Sequence, residues 1–188
     1  MTNMFRKFAA PMIAASIALA APAFAENMNP MVGGAEMFAN KPIAANASAA
    51  PNLTTLVAAV KAAGLVDTLA GPGPFTVFAP TNAAFDKLPA GTVANLVKPE
   101  NKEMLTHILT CHVAKGVITA ENIVKTIEMG KGKATIETLG GCNLTAMMKD
   151  GKVMLKDPKG DIATVEVADV KQSNGMVHVI DTVMLPKM

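Results

Sequence analysis

The chain has 188 residues, a length that suits one domain, with 17 Lys and Arg against 15 Asp and Glu, 51% hydrophobic residues and 4% aromatic. So even a balance provides no basic field for nucleic acid or an anionic lipid surface. The chain has no Trp, no Tyr and only seven Phe, which disfavours stacking platforms for single-stranded nucleic acid and interfaces anchored on Trp or Tyr.

In chain order, the first segment reads as a secretion signal. Arg6 and Lys7 give a positive start, residues 9–23 form a small-residue apolar run, and Ala23-Phe24-Ala25 fits a cleavage site with Glu26 as the new N-terminus. The run is short for a membrane span, which takes about 20 apolar residues, so no stable span is expected. Removing 25 of the 188 residues leaves 163, and losing Arg6 and Lys7 leaves 15 cations against 15 anions.

Residues 26–51 read as an arm lying partly on the domain. Asn29-Pro30, Gly33-Gly34, Lys41-Pro42 and Asn46-Ala47-Ser48 are turn or loop chemistry, while Val32, Met37, Phe38 and Ile43 are apolar enough to dock. The domain itself is expected over 52–186. Asn52 is a candidate N-cap for a helix carrying Leu53, Leu56, Val57 and Val60, stopped at Gly64. A second short helix is expected over 65–70. The breakers Gly71-Pro72-Gly73-Pro74 precede a buried strand at 75–79. Thr81 or Asn82 caps a helix running through Phe85 to Leu88, and 92–97 reads as another. Pro99 opens a helix whose apolar stripe is Met104, Ile108 and Cys111.

Beyond Gly130 the apolar period becomes two. Strands are expected at 134–139, at 143–148 and 152–156 around the hairpin signal Asp150-Gly151, then at 162–170 and 176–185. Helices first and strands afterwards make an α+β fold with a mostly antiparallel sheet.

Candidate chemistry is sparse. Cys111 and Cys142 are the two cysteines, and in an oxidising compartment they are a candidate disulfide; two buried thiols are the alternative. His107 and Cys111 share a helical face and could contribute to a metal site, but no H-x-x-x-H, H-E-x-x-H or C-x-x-C spacing completes one. Met28, Met31 and Met37 in the arm raise copper, against the ordinary role of Met as a filler of irregular core gaps. Ser48 and Ser173 lie in no nucleophile motif. No catalytic residue, cofactor or resident metal is expected.

Two stretches carry a family resemblance. Gly73-Pro-Phe-Thr-Val-Phe-Ala-Pro-Thr-Asn-Ala-Ala-Phe85 resembles the first signature of the fasciclin domain, and Asn174-Gly-Met-Val-His-Val-Ile-Asp-Thr-Val-Met-Leu-Pro186 resembles its closing signature. The resemblance implies a wedge of helices packed on a mostly antiparallel sheet or sandwich, export to the periplasm or the cell exterior, and a non-enzymatic role in adhesion. It places a candidate interaction segment at Leu109, His112 and Val113, with Cys111 where the family has tyrosine. His112 has a second reading, as a histidine that stabilises the fold. The expected partner is a protein or matrix component, met by a monomer. A periplasmic ligand-binding or copper-binding protein is the alternative.

Overall fold

The computed structural model describes residues 29–187. The expected signal at 1–25 and its cleavage point between Ala25 and Glu26 lie outside the described residues.

The arm begins with a two-stranded ribbon, β1 (Met31–Val32) and β2 (Ala35–Glu36). It continues into a helix, α1 (Ile43–Ala49), where the sequence reading expects loop chemistry. Ala44, Ala45, Ala47 and Ala49 outweigh the polar residues in helix propensity, and Ile43 and Asn46 point inward. A 3₁₀ turn at Pro51–Leu53 leads into α2 (Thr54–Ala63). Asn52 does not cap α2, and its Oδ1 is buried without a hydrogen-bond partner. The cap comes from 28 residues along the chain. Asn82 accepts from the Thr55 N–H at 3.0 Å and donates to Thr54 Oγ1 at 3.0 Å and the Pro51 carbonyl at 3.1 Å, satisfying donors that a helix start leaves open.

Next come α3 (Val66–Ala70), β3 (Phe75–Pro80), α4 (Asn82–Asp86), capped by Thr81, and α5 (Thr92–Leu96). A turn at Pro99–Asn101 opens α6 (Lys102–Thr110), followed by β4 (Val113–Lys115). Met104, expected in the apolar stripe of α6, is exposed; Leu105, Ile108 and Leu109 make the buried face. An unanticipated helix, α7 (Ala120–Met129), has Thr119 accepting from the Asn122 N–H as its cap, and it buries Ile123 and Ile127 one turn apart.

The strands β5 (Ala134–Glu137), β6 (Asn143–Lys149), β7 (Lys152–Lys156), β8 (Ile162–Gln172) and β9 (Gly175–Ile180) follow. Asp150 and Gly151 both have positive φ, 52° and 76°, and close the β6–β7 hairpin with the left-handed pair that a tight two-residue turn needs. The last strand is shorter than the expected 176–185: it ends at Ile180.

The large sheet has the order β4-β3-β9-β8-β7-β6-β5, antiparallel throughout except for the parallel pair β3–β9. A bridge between Ala114 and Thr138 joins one edge to the other, so the sheet nearly closes on itself. Alternation along the strands then feeds two cores. Val77, Ala79, Val177 and Val179 face α1, α2, α3 and α6. Phe78, Ile180, Leu144 and Leu155 face the inside of the curled sheet, covered by Ile123 and Ile127 of α7. The paired strands β3 and β9 bury both faces, which is why they read as continuous apolar runs.

Candidate functional site

The two signature stretches lie side by side. β3 and β9 pair in parallel from Phe75 opposite Gly175 to Pro80 opposite Ile180. Glycine is required where they meet: a Cβ on Gly175 would stand 2.0 Å from the Phe75 carbonyl oxygen, and one on Gly73 would stand 1.9 Å from that of Asn174. Asn174, beside this contact, donates to the Leu69 and Gly71 carbonyls at 2.7 and 3.0 Å and accepts from the Ile43 N–H at 2.9 Å. One side chain thereby holds α1 and the end of α3 to the turn before β9.

The candidate interaction segment sits at the end of α6 and the start of β4. Leu109, His112 and Val113 are 4%, 2% and 6% exposed, so their side chains face inward and offer no contact to an approaching partner. His112 is a clamp. Its Nδ1 donates to the Ile108 carbonyl at 2.8 Å, and its Nε2 accepts from the Met184 N–H at 2.9 Å. A backbone N–H can only donate, so this pair fixes the neutral tautomer. Burial pushes the imidazole down from 6.5 to about 4, against the opposing pull of the Ile108 carbonyl and the Asp157 carboxylate.

His178 holds the opposite tautomer. Nε2 donates to the Ile118 carbonyl at 2.7 Å and Nδ1 accepts from the Asp169 N–H at 3.3 Å. Its ring stacks on Phe78 at 5.6 Å, and burial lowers its pKa, opposed by the Ile118 carbonyl and Asp169. Asp157 is buried and fully engaged. It accepts from the Gly160 and Asp161 N–H groups at 2.7 and 2.9 Å and from that of Leu185 at 2.7 Å. Sequence spacing carries no sign of the long-range part of this role, because Leu185 lies 28 residues away.

Cys111 and Cys142 are joined in a disulfide, Cα to Cα 5.3 Å, tying the end of α6 to the start of β6. His107 lies beside them: its Nε2 is 3.1 Å from the Gly140 carbonyl, and the three potential ligand atoms fall within 4.8 Å of one another. Bonded to each other, the two sulfurs provide no thiolate. Of the arm methionines, Met31 is exposed and Met37 is buried in the core, while Met28 lies outside the described residues. Met147 and Met154 sit opposite each other on the hairpin.

One feature is invisible to sequence spacing. Between α1, α2 and the sheet face lies an apolar cavity of about 80 Å³, with walls that include Ile43, Ala47, Leu56, Val60, Val77 and Val177. Lys61 is the one charged side chain among the residues around it.

A curled sheet whose parallel pair joins a first and a last motif, with buried imidazoles serving as backbone clamps, defines a structural α+β scaffold. The chain belongs to the fasciclin domain family, whose description matches residues 51–186. It is 54% identical over 135 residues to Protein sll1483 of Synechocystis sp., covering 72% of this chain and 68% of that one. It is 37% identical over 159 residues to the Cell surface glycolipoprotein MPB83 of Mycobacterium bovis, covering 82% of this chain and spanning 64% of that protein's length. The solved FAS1 domain pair of the insect cell adhesion molecule Fasciclin I shares the fold, with a TM-score of 0.67 at 20% identity, over 77% of this chain and 51% of that one.

Proposed function

We propose that this protein is an exported, non-enzymatic adhesion or interaction module, acting as a monomer through weak contacts at the bacterial envelope or outside the cell. The observation that carries the reading is how the buried polar side chains are used. His112, His178 and Asp157 all bond to backbone groups of distant segments, so the groups best suited to chemistry are committed to architecture. The family membership, a relative named as a cell surface protein and a disulfide that belongs in an oxidising compartment support the same reading. Among the described residues no single helix is long and apolar enough to cross a membrane.

The contact surface, on this reading, is built from exposed aliphatic and Met side chains such as Met129, Met31 and Val117, which are 78%, 53% and 48% exposed. The partner is a protein or matrix component. Cross-linking the purified protein to envelope fractions tests this. Recovery of a discrete partner, lost on changing Met129 and Val117 to Lys, is the expected result. Fractionation with the cytoplasm, or turnover of ester, peptide or glycoside substrates, would overturn it.

A further inference from the structure

The cavity between α1, α2 and the sheet points to a small-molecule site, separate from the surface reading above and independent of whether that reading holds. Three features define its chemistry. The wall is mostly hydrocarbon, and most of its inward polar side chains are already engaged. Asn46 donates to the Phe38 carbonyl and to Gln172 Oε1 and accepts from the Phe38 N–H, while both nitrogens of His112 are bonded to backbone groups. A ligand's polar group therefore finds few partners deep inside and is better placed at the rim.

The rim carries one charge, Lys61, an exposed side chain that forms no ion pair among the described residues. A volume of about 80 Å³ holds about six water-sized spheres of 10–15 Å³ each, the girth of a short hydrocarbon tail. Part of the wall also comes from outside the family-matched span. Val32, Met37 and Ile43 belong to the arm, which precedes the family-matched span of 51–186.

We propose that this cavity binds the tail of a medium-chain fatty carboxylate of about six to eight carbons, with the carboxylate held at the rim by Lys61. Apolar burial supplies the affinity, about 0.8 kcal/mol for each CH₂ removed from water, and the Lys61 ammonium supplies the preference for an anionic head.

Titration of the full protein with sodium octanoate, octanol, octylammonium and butyrate tests this, read by calorimetry and by displacement of an anilinonaphthalene sulfonate dye. The lack of Trp and Tyr leaves little intrinsic fluorescence to interfere. Octanoate is expected to saturate one site, at least tenfold tighter than butyrate and fivefold tighter than octylammonium. Lys61→Glu should remove the preference for octanoate over octylammonium and leave octanol unchanged. Ala47→Phe should weaken all three eight-carbon ligands at least tenfold without lowering the unfolding midpoint, and Ala47→Leu provides a milder filling if the larger ring disturbs α1. The proposal is overturned by non-saturating octanoate binding, by equal affinity in a folded cavity-filled variant, by a head-group preference indifferent to Lys61→Glu, or by binding of anionic phospholipid vesicles that octanoate does not displace.

Discussion

His112 couples stability to acidity. Its imidazole is held neutral in the fold, down from 6.5 to about 4, so the unfolded chain takes up a proton that the folded chain refuses. The contribution is fully present above pH 6.5 and is lost as pH falls toward 4, a difference of about 3 kcal/mol at 1.36 kcal/mol per pKa unit. His178, also lowered by burial, adds a loss of the same sign. Asp181 acts in a more acidic range. Burial raises its pKa, but the Thr164 N–H, the Thr182 hydroxyl and Lys87 together outweigh burial and lower it, so its contribution is lost as pH falls below the ordinary carboxylate value of 3.8. Urea unfolding at pH 7 and pH 5 should show the native protein weaker at pH 5. His112→Gln should be less stable at pH 7 and should show a shallower pH slope; an unchanged slope would refute the assignment. Little of this was legible beforehand. A fold-stabilising His112 was one of two readings, but its partner Met184 lies 72 residues away, and sequence periodicity reports only neighbours within a few turns.

At the scale of elements, legibility follows the same rule. The strand at 75–79 and the Asp150-Gly151 hairpin were readable because their signals are local: breakers on both sides of the first, a left-handed residue pair in the second. The helix α1 was hidden by Asn46 and Ser48, whose loop propensity is overridden by a buried bond from Asn46 to Gln172. The cap of α2 was misassigned to Asn52 because the true cap, Asn82, arrives from the next structural layer. The β3–β9 pair yields a direct test. Gly175→Ala drives a methyl against the Phe75 carbonyl and should cost more than about 2 kcal/mol, as forced backbone shifts do. Gly116→Ala, at φ 89° with open space around it, meets only the cost of a left-handed residue, about 1–2 kcal/mol. Thermal melts of the two variants should rank in that order.

The whole molecule consists of a curled sheet, a helical layer and an arm that completes the helical layer. Val32, Met37 and Ile43 of the arm belong to the same core as α2 and α6, but the arm is secured by few polar bonds. Asn46 to Gln172, the Ile43 N–H to Asn174, and the Ser173 N–H to the Lys41 carbonyl are the main ones to the body, while Asn46 also braces the arm internally at Phe38. Asn46→Ala removes the first set and leaves Gln172 without that partner, at a cost of about 1–3 kcal/mol. Limited proteolysis of this variant should cut first within residues 29–50 and leave the remainder intact, whereas the native protein resists cleavage there. Uniform degradation would show instead that the arm and the body unfold as one unit.

The one parallel pair in the sheet is made from its first long strand and its last, β3 and β9, a hundred residues apart. Bringing such distant segments together is entropically slow. During synthesis β3 meets β4 early, but its parallel pairing with β9 waits until residue 180 has emerged, so this part of the sheet is not completed piecemeal.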